Sequence, residues 1–112
     1  MLPIPHPTPF HTFSAPTIPF VATAYCLKGL TRTGTPVGEG VIAVDPRIIP
    51  LHSIITIKHE VYVAEDIGSA IKGYRIDIWM RSCRAAILWG RRKVDVQLLK
   101  RVLTAKKFHS KP

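Results

Sequence analysis

From residue 20 onward no apolar run in this chain lasts long. Short stretches rich in Val, Ile, Ala and Thr are cut at close intervals by Gly, Pro and Asp, and that punctuation excludes long helices. Candidate strands are Phe20–Tyr25, Gly40–Val44, Ile54–Lys58, Val61–Glu65, Arg75–Met80 and Lys93–Leu99. Turn chemistry separates them at Thr33-Gly34-Thr35-Pro36, Asp45-Pro46, Ile49-Pro50 and Ile67-Gly68-Ser69. One segment reads as helical, with Ser82 as N-cap, residues 83–89 forming two turns and Gly90 as the stop. Six strands and one short helix predict an all-β fold closed into a small barrel, because closure leaves no sheet edge exposed.

The 112 residues, 46% of them hydrophobic, suit one compact domain with one core. Residues 1–19 hold six prolines and lack both the basic start and the apolar stretch of a secretory signal, so they read as an extended or disordered lead. The domain is expected over 20–103, and residues 104–112 as a basic tail. No run approaches the roughly 18 apolar residues of a membrane span, so stable membrane insertion is not expected.

Sixteen Lys and Arg against seven Asp and Glu give a net charge of +9, which favours an anionic partner: nucleic acid, an acidic wall polymer or an anionic membrane face. Nucleic acid fits least well. Aromatic residues are 8% of the chain and do not interleave with the basic clusters as stacking platforms would. Cys26 and Cys83 are too few for a disulfide framework, and either one bridge between them or two buried thiols is compatible with the sequence. The His59-Glu60 pair has Val63 where a zinc-protease helix needs its second His, and the other histidines lack ligand spacing. Neither a metal nor a cofactor is expected.

The acids carry the chemistry. In Arg75-Ile76-Asp77-Ile78-Trp79-Met80, two-residue alternation puts Ile76, Ile78 and Met80 on the core face, and Arg75, Asp77 and Trp79 on the other. An aspartate inside a strand has poor β-propensity and no turn to stabilise, which singles out Asp77. Asp66 ends a strand before a glycine turn, where it could cap its loop, and Asp45 before Pro46 has the form of a common turn. Trp79 reads first as a packing residue.

Thr23-Ala24-Tyr25, Thr33-Gly34-Thr35-Pro36, residues 40–46 (GVIAVDP), Ile49-Pro50-Leu51, residues 64–73 (AEDIGSAIKG) and residues 75–79 (RIDIW) follow one another in an order that resembles the 3D domain, named for its three aspartates. The chain is similar over residues 20–100 to the catalytic domain of membrane-bound lytic murein transglycosylase A and to stationary-phase survival and resuscitation-type cell-wall proteins. The resemblance implies a six-stranded double-psi β-barrel in the cell envelope or outside the cell. It implies cleavage of the β-1,4 bond between N-acetylmuramic acid and N-acetylglucosamine in peptidoglycan strands, without water, leaving a 1,6-anhydro end. The family aspartates fall on Asp45, Asp66 and Asp77, with Asp77 as general acid/base. Thr33, Gly68, Ser69, Lys72, Arg75 and Trp79 are the expected substrate contacts, Arg75 and Lys72 facing substrate carboxylates or the rim. Two positions depart from the family pattern: Ile67 stands where Thr is usual, and His52 where Gly is usual. The alternatives are a noncatalytic peptidoglycan-binding barrel and a basic nucleic-acid-binding barrel.

Overall fold

A computed structural model describes residues 16–100. Six strands run in the order β1 (Thr17–Tyr25), β2 (Val41–Val44), β3 (Ile54–Ile57), β4 (Glu60–Ile67), β5 (Arg75–Trp79) and β6 (Arg92–Lys100), with one helix, α1 (Cys83–Trp89), between β5 and β6. They close into a barrel with the spatial order β1-β5-β2-β4-β3-β6. Two pairs, β1 with β5 and β2 with β4, are parallel, and the other four are antiparallel. This closed, mixed, six-stranded barrel agrees with the double-psi architecture.

Alternation fills the interior. Ala22, Ile42, Val44, Ile55, Ala64 and Ile76 are wholly buried, with Phe20, Ile49, Ile57, Ile78 and Val96 packed among them. Each fully buried aliphatic side chain contributes about 1.5–3 kcal/mol relative to its exposed state. Met80 packs against this core from its edge.

The expected elements are all present; most strand ends differ from the expected ones by one residue, and two shifts are larger. β1 begins at Thr17 rather than Phe20, because Thr17, Ile18 and Pro19 pair with Gln97, Val96 and Asp95 of β6. Pro19 forms no break, since a proline is tolerated in a strand wherever its missing N–H is not needed by the ladder. β4 extends to Ile67. The rest of the lead and the 104–112 tail lie outside the described residues.

Helix α1 starts as its sequence demands: Ser82 Oγ accepts the Ala85 N–H at 3.0 Å, and Gly90 follows at φ 66°. Only Ala86 of the helix is buried. The helix is fastened to β1 at both ends. The Trp89 indole N–H donates to the Ala22 carbonyl at 3.1 Å, and Cys26 and Cys83 form a disulfide with Cα atoms 5.1 Å apart. Of the two states open to these cysteines, the bridge is the one present.

Candidate functional site

Sheet register assembles the site from segments distant in sequence. Thr23 on β1 is the partner of Asp77 on β5, Asp77 of Ala43 on β2, and Ala43 of Asp66 on β4. One row crosses four strands: Thr23, Asp77, Ala43, Asp66. Ile42, Val44, Ile76 and Ile78 point inward, so Ala43 and Asp77 between them point outward. A bulge brings Asp66 into line. The β2–β4 register steps from Ile42↔Ala64 to Ala43↔Asp66, so Glu65 is the extra residue and Asp66 takes the place opposite Ala43. Two strand spacings separate the backbones of Asp66 and Asp77, about 9–10 Å. Only the methyl group of Ala43 stands in the row between their side chains.

The two carboxyl groups meet different surroundings. Asp66 accepts three hydrogen bonds: from the Arg32 N–H and the Ile67 N–H, both at 3.0 Å to Oδ1, and from the Tyr25 hydroxyl at 3.1 Å to Oδ2. Its geometry is that of a fixed acceptor. Asp77 accepts the Thr23 hydroxyl at 2.9 Å. Burial pushes the Asp77 carboxyl above its ordinary range, and the charge of Asp66 adds to that rise. The Thr23 hydrogen bond and the Arg75 guanidinium pull the other way without prevailing. Tyr25 is likewise pushed up, by burial first and then by Asp66 and Asp77, so its hydroxyl stays a donor.

Asp45 does not join this pair. Its side chain is 2% exposed and fully engaged. Arg47 Nε donates to Oδ1 at 3.0 Å and Nη2 to Oδ2 at 2.6 Å, while the Arg47 and Gly73 N–H groups donate at 3.0 and 2.8 Å. Led by the Arg47 hydrogen bond and then the Gly73 N–H, these donors hold the carboxyl far below the ordinary carboxylate range. Asp45 is the turn residue that its position before Pro46 suggests, and it ties the β2 end to the β4–β5 loop. Of the three family aspartates, Asp66 and Asp77 share the row and Asp45 does not.

The remaining expected contacts divide. Thr33 is anchored to β4, its hydroxyl donating to a Glu65 carboxylate oxygen and its N–H to the Glu65 carbonyl at 3.1 Å. Gly68, Ser69 and Lys72 lie on the loop leaving β4, with Ser69 and Lys72 exposed. A Cβ at Gly68 would stand 3.0 Å from the Ile71 side chain, so the loop's tightness favours glycine there. Arg75 is half-buried, and its Nε has no hydrogen-bond partner among the described residues. It acts electrostatically on Asp77 rather than only on the rim. Trp79 is 5% exposed and its indole N–H donates to the Leu27 carbonyl at 2.8 Å. That burial fits the packing role rather than a substrate contact.

Sequence reasoning left Tyr25, Thr23 and Ala43 out of the site. Thr23 and Tyr25 show the correct period-two spacing, but only the parallel pairing of β1 with β5 reveals what they face. A cleft of about 680 Å³ lined by Thr56, Lys58, Tyr62, Trp89, Arg92 and Lys93 contains neither Asp66 nor Asp77. Among the described residues no three His, Cys, Asp or Glu side chains are grouped as metal ligands would be.

The family described as the 3D domain matches residues 40–100. The chain is 39% identical over 88 residues to the cell wall-binding protein YocH of Bacillus subtilis, covering 70% of this chain and 31% of YocH. It is 41% identical over 88 residues to the SPbeta prophage-derived protein YorM of the same organism, covering 66% of this chain and 37% of YorM. The chain thus spans about a third of each of these relatives. Among solved structures it resembles MltA from Escherichia coli, with a TM-score of 0.54 at 24% identity, over 66% of this chain and 28% of MltA. A variant of the same protein, described as a lytic transglycosylase, aligns with a TM-score of 0.55 at 21% identity, over 69% of this chain and 29% of that one. These two likenesses are of fold.

Proposed function

The chain belongs to the 3D domain family, and from that premise we propose that it cleaves peptidoglycan as a lytic transglycosylase-type enzyme, with Asp77 as general acid/base. The observation carrying the proposal is the register row: a carboxyl raised by burial at Asp77, a hydrogen-bonded carboxylate at Asp66, and only Ala43 between them. Glycosidic cleavage needs a carboxyl that still holds its proton near working pH, and Asp77 is the aspartate whose surroundings favour that state. Protonated Asp77 donates to the oxygen leaving the anomeric carbon of N-acetylmuramic acid, and becomes a carboxylate. It then takes the proton of the same sugar's C6 hydroxyl as that oxygen attacks the anomeric carbon. One C–O bond breaks, one forms, and no water is consumed. Asp66, held by its three donors, presents negative charge to the cation developing at the anomeric carbon. Thr33, Gly68, Ser69, Lys72 and Arg75 are the proposed substrate contacts.

A position in the cell envelope or outside the cell fits this substrate. The Cys26–Cys83 bridge supports it, because disulfides persist in oxidising compartments. A noncatalytic glycan-binding barrel is the second reading, favoured by the wall-binding relative YocH and by the replacement of the family's usual Thr by Ile67. Product masses from isolated murein decide. Anhydromuramyl fragments that vanish with Asp77→Ala support the transglycosylase, and fragments heavier by one water support a hydrolase. Co-sedimentation with the wall without products supports the binder.

A further inference from the structure

The most exposed large apolar side chains in the described part of the chain are Leu27 (73%), Leu30 (73%), Ile87 (78%) and Leu88 (70%), and the next is Val61 at 55%. Single exposed aliphatics are ordinary, whereas a group of them rimmed by polar residues marks a contact surface. Two of them, Leu27 and Ile87, are brought to one place by a covalent bond, with Leu88 next to Ile87 in the chain. Leu27 follows Cys26, and Ile87 lies one helical turn beyond Cys83 on the same face of α1. The hydrogen bond from the Trp79 indole to the Leu27 carbonyl holds the loop in place, so docking would order little that is not already ordered.

The charge carried by the two segments themselves has one sign. Residues 26–30 and 81–92 contain Lys28, Arg81, Arg84, Arg91 and Arg92 and no Asp or Glu. Arg81 reaches Glu39 at 3.8 Å, and Arg92 stacks 4.0 Å from the Trp89 ring centre. Among the described residues Lys28, Arg84 and Arg91 have no ion pair.

We infer that the surface around the Cys26–Cys83 bridge is a docking face for a bilayer containing anionic lipid. Aliphatic tips ringed by cations fit a lipid headgroup layer, with the tips below the phosphates and the cations among them. A hydrated anionic polymer would satisfy the cations but offers no apolar phase to receive the aliphatic tips, so the bilayer is the better complement. No helix among the described residues is long and apolar enough to cross a membrane, and the face needs none, because it lies on the surface. This inference stands apart from the glycan-cleavage proposal and rests on different residues.

The test is co-sedimentation of the full chain with vesicles of equal parts phosphatidylglycerol and phosphatidylcholine, against phosphatidylcholine alone. Binding is expected only to the mixed vesicles. Ile87→Glu and Leu27→Glu should each weaken it about tenfold or more, and Arg84→Glu about fivefold or more. All three sites are exposed, so the thermal midpoint should hold, and Leu27→Gln supplies a milder form of the apolar loss. Equal binding to both vesicle types, no binding, or binding to mixed vesicles that ignores Ile87→Glu overturns the inference. Self-association abolished by Ile87→Glu, without vesicle binding, would make the face a contact between copies of this chain instead, and also overturns it.

Discussion

Breaking the Cys26–Cys83 bridge gives the most quantitative test of how the barrel is held together. The two cysteines are 57 residues apart in sequence, and the segment they enclose contains β2, β3, β4 and β5. In the chain-entropy account, a cross-link closing a loop of that length removes about 14 cal/mol/K from the unfolded ensemble, or about 4 kcal/mol at 25 °C. Measured losses for native bridges span about 2–5 kcal/mol, and a domain has only about 5–15 kcal/mol in all. At about 4–8 °C per kcal/mol, the Cys26→Ser/Cys83→Ser variant should melt about 10–30 °C below the parent. Circular dichroism melts of parent and variant, each with and without reductant, measure it. Reductant should lower the parent toward the variant and leave the variant unchanged. A second consequence is local. Cys26 adjoins Tyr25, whose hydroxyl holds Asp66, so the unbridged protein should show disturbed Tyr25 and Asp66 resonances below its melting point. A variant melting within about 3 °C of the parent would refute the reasoning, since neither the entropy nor the fastening of α1 would then matter.

Asp77→Asn should reduce murein cleavage by about 100-fold or more, while raising stability relative to the parent as pH increases. A carboxyl raised by burial stabilises the fold below its unfolded value of 3.8 and loses that contribution as pH climbs through the folded value, so the variant's advantage in melting point should be larger at pH 7 than at pH 3. Asp45→Asn has the opposite sign: a lowered carboxyl stabilises above 3.8 and loses that contribution as pH falls through the folded value, so this variant's deficit should be largest near neutrality and shrink toward pH 2. Ala43→Val places two methyl groups between the acids and should cut cleavage about 100-fold with an overpacking cost of about 1–3 kcal/mol. Full activity in that variant would show that the gap is unimportant. Lys58 and His59 form the two-residue β3–β4 turn at φ 49° and 72°, where Asn-Gly is preferred, so Lys58→Asn/His59→Gly should gain about 1 kcal/mol, or about 4–8 °C in melting point. A lower melting point would refute that reading.

Much of the barrel is legible in the sequence because each strand declares itself by alternation and ends in a turn. Helix α1 was legible to the residue, since Ser82 and Gly90 are local signals that need no partner. What stayed hidden is non-local. The start of β1 depends on β6 accepting Thr17, Ile18 and Pro19, and the disulfide depends on a 57-residue return. His52 illustrates how a departure from a family pattern becomes readable only in three dimensions. Its φ of 75° is the conformation for which the family's glycine is suited. The turn survives with histidine because the His52 N–H donates to the Ala64 carbonyl at 2.7 Å and its Nδ1 lies 3.6 Å from a Glu65 oxygen. Ala43 was invisible for a simpler reason: an alanine between Ile42 and Val44 reads as core, and it is indeed buried, at 3% exposure, while still standing in the row between the two acids.

The three aspartates also show why counting acids could not assign their roles. All three end or interrupt strands, and all three belong to the motif, yet their donors differ. Asp45 has a guanidinium and two N–H groups on it, so its charge is secured and unavailable for proton transfer. Asp66 has two N–H groups and a phenol, which fix its direction. Asp77 has one hydroxyl and substantial burial, and burial prevails. A group that must release a proton and take one back needs few donors to its charged form, because every such donor makes reprotonation harder. By that criterion a substitution at position 45 fails through the fold, one at 66 through orientation, and one at 77 through the proton itself, which is why the stability profile and the cleavage assay should separate at Asp77 and move together at Asp45.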